Sequence, residues 1–156
     1  MRILILALGN DIAGEDIAGF IVADILERLI PNDFKDSIDI IKCIESGVKL
    51  MDYILRGYDH IIIIDSILSN ARGEIIKIKP SDMKTIGRIR SPHYMGIPDI
   101  LKFLEYLGVS IPSISIYAIT IKDISFGAKV SNDVLEACRK LAGIILEEVS
   151  NMLKSP

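Results

Sequence analysis

The sequence predicts a three-layer α/β/α domain built on a mostly parallel sheet. Short continuous apolar runs alternate with stretches whose apolar residues recur at helical spacing. The first two strand–helix units come in the order that gives parallel strands with right-handed crossovers. One later connection, from Asp65 to Glu74, is too short for a crossover helix. A parallel return needs about a dozen residues, so the next strand is expected to be antiparallel.

Arg2–Leu8 is an apolar run ending at a glycine turn, the mark of a strand buried on both faces. Ile17 to Ile30 changes period. Ile17, Ile21, Ile25 and Leu29 fall four apart, with Ala18, Val22 and Leu26 beside them, which predicts one buried helix face. Pro31 ends that helix, and Asn32–Ser37 is a polar loop. Ile38–Ile44 is a second strand, Ser46-Gly47 turns, and Val48–Leu55 is a short helix closed by Gly57. His60–Ile64 is a third buried strand ending at Asp65. Glu74–Lys79 alternates charged and apolar residues, as a half-exposed strand does, and Pro80 stops it. Asp82–Pro92 is irregular, and Ser91-Pro92-His93 forms a loop. Pro98 suits the first turn of a helix to Leu107, with Ile100, Leu101, Leu104 and Leu107 on one face. Ser113–Ile121 is the last strand and Lys122–Val130 a loop. Ser131 is the expected N-cap of a long helix through Leu153. No repeat or linker divides the chain, so residues 1–156 are expected to form one domain.

Composition narrows the function. Half the residues are hydrophobic, mean hydropathy is +0.41, and 156 residues suffice for a proper core. A net charge of −3 argues against nucleic acid as a partner. No apolar run approaches the roughly 20 residues of a membrane span. Arg2–Leu8 is too short for a signal-peptide core, so a cytoplasmic protein is expected. Cys43 and Cys138 sit inside apolar runs and are expected to be buried thiols. The absence of glutamine, with many ion-forming residues, suggests a thermophile.

Chemistry concentrates after the first strand. Gly9, Gly14 and Gly19 fall every fifth residue, which is not the G-x-G-x-x-G dinucleotide pattern. Asp11, Glu15 and Asp16 make the same turn a poor host for an anion and a good one for a cation. Asp16 follows the first strand and Asp65 ends the third. If those strands are neighbours, both carboxylates flank the crevice where ligands bind in open α/β sheets. His93 lies on a loop free to fold over that crevice. Two carboxylates and an imidazole make a divalent-metal set with open positions. Each member also has a plain reading: Asp65 as a turn residue, Asp16 as a partner of the helix dipole, His93 as a loop histidine. His60 begins the third strand, at the opposite edge, and is read as structural. A Ser66-His93-Asp65 triad lacks the G-x-S-x-G elbow.

Gly9-Asn10, Glu15-Asp16, Gly19, the strand ending in Asp65, and Ser91-Pro92-His93 with Gly96 and Asp99 behind it resemble the hydrogenase maturation proteases. These endopeptidases trim the C-terminus of the [NiFe]-hydrogenase large subunit. The resemblance runs from Met1 to about Leu107. It implies a five-stranded mixed sheet of order 2-1-3-5-4 with strand four antiparallel. It also implies that Asp16, Asp65 and His93 bind nickel and form the catalytic centre, the nickel arriving in the precursor's own active site. The expected reading is thus a metal-dependent endopeptidase, monomeric, whose partner is the large-subunit precursor. A non-proteolytic chaperone of nickel proteins with the same fold is the alternative. A nucleotide- or flavin-binding domain is disfavoured by the acidic first turn.

Overall fold

The computed structural model describes residues 1–44, 48–79 and 97–154. Five strands, β1 (Ile3–Leu8), β2 (Ile38–Cys43), β3 (His60–Leu68), β4 (Ile75–Ile78) and β5 (Ser113–Ile121), form one sheet of order β2-β1-β3-β5-β4. The first three and β5 run parallel, and β4 runs antiparallel to β5. This is the predicted order, with the odd strand where the short connection requires it.

Alternation along β3 explains the three layers. Ile62 and Ile64 face one way, into a core shared with Ile3 and Ile5, α1 (Ala18–Leu29) and α4 (Asn132–Lys154). Ile61 and Ile63 face the other way, with Leu4 and Leu6, toward α2 (Val48–Ile54) and α3 (Ile97–Tyr106). All four isoleucines are completely buried. A strand covered on both faces has no polar side to show, hence the unbroken run.

Several elements depart from the sequence expectation. The buried stripe of α1 is centred on Ala18, Val22 and Leu26; Ile21 and Ile25 are its half-buried margin and Leu29 is 49% exposed. Gly19 sets this rotation: a Cβ there would lie 2.4 Å from the Leu8 carbonyl oxygen and 3.2 Å from that of Ile64. Only glycine lets the helix press onto the ends of β1 and β3. Residues 32–37 form a 3₁₀ helix rather than an open loop. Leu107 falls beyond α3 and is 56% exposed, while Leu104 carries the contact. β3 does not end at Asp65 but continues to Leu68, because β5 pairs with it as far as Leu68↔Ile121. Ser131 caps α4 as predicted, its Oγ accepting the Val134 N–H at 3.4 Å. The expected turn at Ser46-Gly47, the stop at Pro80, the irregular stretch to Pro92 and the His93 loop lie outside the described residues.

Candidate functional site

β1 stops pairing with β3 at Ala7↔Ile64, yet β3 runs on. Its polar continuation, Asp65 and Ser66, therefore emerges past the end of β1, beneath the turn that leads to α1. That turn is a 3₁₀ helix over Gly14–Ile17 carrying Asp16. Asp16 is 8% exposed, Asp65 is completely buried and Ser66 is 2% exposed.

The two carboxylates meet at Ser66. Its hydroxyl donates to Asp16 Oδ1, across 50 residues of chain. Its backbone N–H donates to Asp65 Oδ1 at 2.7 Å. One serine thus engages one oxygen of each acid, which brings the two predicted site aspartates to one place. His93 lies outside the described residues. Among the described residues no group of three histidines, cysteines or acids is placed to hold a metal. Buried carboxylates nevertheless suit a cation chemically, because a divalent ion beside them offsets the cost of keeping carboxylate charge out of water. Oxygen donors with an imidazole fall within the range nickel accepts.

The sequence grouped Asp11, Glu15 and Asp16 as one acidic turn, and the structure separates them. Asp11 is exposed. Glu15 is completely buried, and its carboxylate is taken up by the segment after β5. Its Oε2 accepts the N–H groups of Lys122 at 2.9 Å and Asp123 at 3.1 Å. Its Oε1 accepts the Ser131 N–H at 3.3 Å and pairs with Arg72 Nε at 3.2 Å. Burial pushes the Glu15 carboxyl up, but hydrogen bonds from Lys122, Ser131 and Asp123 outweigh it, and the group ends below its usual value. Glu15 is thus a structural clamp. The case for a cation rests on Asp16 and Asp65, not on three neighbouring charges. Ser66, seen from sequence only as a nucleophile, is too buried for that role and acts as the tie between the acids.

His60 stands at the other end of β3, as expected, and is 5% exposed. Its Nε2 has no hydrogen-bond partner among the described residues and lies 3.9 Å from Glu148 Oε1. Burial drives its pKa down, against the pull of Glu148, with Lys77 adding to the fall. Glu148 in turn accepts from Ser115 and Lys77, each at 3.0 Å, and from Tyr117. Both cysteines are buried, and desolvation raises the Cys138 thiol to about 12, so neither offers a ready thiolate. No helix among the described residues is long and apolar enough to cross a membrane.

A family model described as hydrogenase maturation protease matches residues 23–148, which include Asp65 and begin after Asp16. The hydrogenase 2 maturation protease of Escherichia coli is 29% identical over 113 residues, 69% of this chain and 66% of that one, just under two thirds of its length. Protein FrxA of Pyrococcus furiosus is 28% identical over 97 residues, 60% of this chain and 71% of the other. Among solved structures, the [NiFe] hydrogenase maturation protease HybD from Thermococcus kodakarensis superposes with a TM-score of 0.73 at 29% identity, over 94% of this chain and 98% of that one. The hydrogenase maturating endopeptidase HybD from E. coli reaches 0.80 at 22% identity, covering 97% and 94%, and speaks to the fold.

Proposed function

Because the chain belongs to the hydrogenase maturation protease family, we propose that it removes the C-terminal peptide of a [NiFe]-hydrogenase large-subunit precursor once nickel has been inserted. The observation that carries the reading is the meeting of Asp16 and Asp65 at Ser66, on the carboxyl edge of the sheet. That edge is where open α/β sheets place ligands. Two acids at a buried rim are suited to gripping the doubly charged ion that the substrate brings. His93 is the third proposed ligand, and the nickel belongs to the precursor.

In this mechanism Ser66 orients Asp16, the clamp at Glu15 holds the turn in place, and Asp16, Asp65 and His93 hold the precursor so that its tail lies across the rim. When held by Asp16, Asp65 and His93, the ion would supply positive charge to the site. Burial excludes bulk water and strengthens every charge interaction there. A precursor without nickel offers the acids nothing to grip, so it is not cut.

Intact-mass measurement of nickel-loaded and metal-free precursor tests the proposal. The wild type is expected to shorten only the loaded form. Asp16→Asn, Asp65→Asn and His93→Ala are each expected to leave it at full length. A precursor that stays whole under every metal condition would favour a nickel-protein chaperone instead. Normal trimming by all three variants would overturn the site assignment.

A further inference from the structure

We infer that the loop between β5 and α4 is the docking surface for an apolar segment of the large-subunit precursor, an inference that rests on the proteolytic reading above. Phe126 is 85% exposed, Ile124 48% and Ile12 57%. None of the three belongs to a hydrophobic core. They come from two loops packed on each other. The Gly127 N–H donates to the Ile12 carbonyl at 3.3 Å, and the Glu15 N–H donates to the Asp123 carbonyl at 2.8 Å. Gly14, at φ 52°, lies so close that a Cβ would stand 2.6 Å from the Asp123 carbonyl oxygen. Three large apolar side chains therefore gather beside the turn that carries Asp16. Large apolar side chains left exposed on neighbouring loops mark a candidate contact site.

The loop is held rather than loose. Glu15 receives three of its N–H groups, from Lys122, Asp123 and Ser131. The Asp123 carboxylate accepts the Ser125 N–H at 2.8 Å, and the Ala128 N–H donates to the Ser125 carbonyl at 3.0 Å. Bracing of the loop backbone lowers the cost of ordering it on binding, and an aromatic side chain has few rotatable bonds to fix, which is what makes aromatic anchors effective. The occupant follows from continuity. The contacts of Gly14 and Glu15 with Asp123 and of Gly127 with Ile12 join this loop to the segment that carries Asp16, so a precursor seated on Asp16 lies beside the loop that bears Ile124 and Phe126.

The test is precursor cleavage by an Ile124→Ser/Phe126→Ser double variant. Both positions are exposed, so thermal unfolding should match the wild type. KM for the nickel-loaded precursor is expected to rise at least about tenfold with kcat unchanged. In an Asp65→Asn background, where no cutting is expected, the Kd for the precursor should weaken by the same factor. Phe126→Leu, which keeps an apolar side chain, should stay near the wild type. So should Phe103→Ser on α3, 52% exposed in the wild type but in the opposite helical layer. Cleavage with an unmoved KM, a fall in kcat alone, or loss of a wild-type dimer without change in KM would each overturn the docking surface and leave the proteolytic reading intact. A wild type that cuts no large-subunit precursor would sink both.

Discussion

Replacing Glu15 by glutamine tests how the turn is held. The carboxylate accepts three backbone N–H groups through both oxygens and faces the Arg72 guanidinium, from inside the protein. A glutamine keeps one acceptor oxygen and points an NH₂ at the donors that met the other. If its oxygen serves Lys122 and Asp123, the Ser131 N–H and Arg72 lose their partner; if it serves those, Lys122 and Asp123 do. One or two buried N–H groups are left unmatched, at roughly 1–3 kcal/mol each. Arg72 is a third exposed, so its share is small, at most about 1 kcal/mol. The variant should therefore lose about 2–4 kcal/mol at neutral pH, a fall of roughly 10 °C in Tm for a chain of this size. Urea unfolding followed by circular dichroism measures it. The pH dependence carries a sign. Because the folded carboxyl lies below its usual 4.5, its contribution is complete above pH 4.5 and fades as pH falls through the folded value. The gap between wild type and variant should close in that acid range. A loss under about 1 kcal/mol, or a gap that widens below pH 4.5, would refute the clamp.

Gly19→Ala drives a methyl group into the Leu8 carbonyl, 2.4 Å away, where backbone on both sides cannot give. It should cost roughly 3 kcal/mol or more, read by thermal unfolding. Ser66→Ala removes the hydroxyl that Asp16 accepts. Stability should fall by about 1.5–3 kcal/mol and cleavage should slow, with Ser66→Thr restoring both; wild-type behaviour in the alanine variant would contradict the tie. His60→Phe replaces a buried ring whose Nε2 has no partner among the described residues, so at pH 7 it should be neutral or slightly stabilising. Burial lowers the folded His60 pKa, against Glu148 and with Lys77, so the wild type loses stability as pH drops below 6.5. The phenylalanine variant should show a shallower acid limb in denaturant titrations from pH 7 to 5.

The central strands β1 and β3 were legible because burial on both faces leaves a short apolar run; β2, at the sheet edge, keeps Asp39 and Lys42 and was legible from its apolar residues alone. The reversed strand was legible from a connection too short for any helix. β3's true end was not. Asp65 and Ser66 break the apolar run and look like the start of a turn, yet β5 continues beside them, with Ala118 opposite Asp65 and Ile119 opposite Ser66. A strand's length is set by its neighbour, and one segment read alone does not carry that information. The rotation of α1 was missed for a similar reason. Its own pattern offered two adjacent stripes, and the contact at Gly19 chose between them.

The acids of the first turn show how far spacing alone can be pressed. In a helix of three residues per turn, consecutive side chains diverge by about 120°. Glu15 and Asp16, adjacent in a 3₁₀ turn, must therefore look in different directions, and counting their charges together was unsound. The divergence is what makes the turn useful. One acid faces the loop after β5 and locks the backbone; the next is then presented at a fixed angle to the end of β3. A regular α-helix starting at Gly14 would separate the two side chains by about 100° and lengthen the turn by only 1.5 Å per residue. Such a helix would pull Asp16 off the Ser66 hydroxyl or Glu15 off the Lys122 and Asp123 N–H groups. The tight turn is the geometry that lets one pair of neighbours serve both as clamp and as rim.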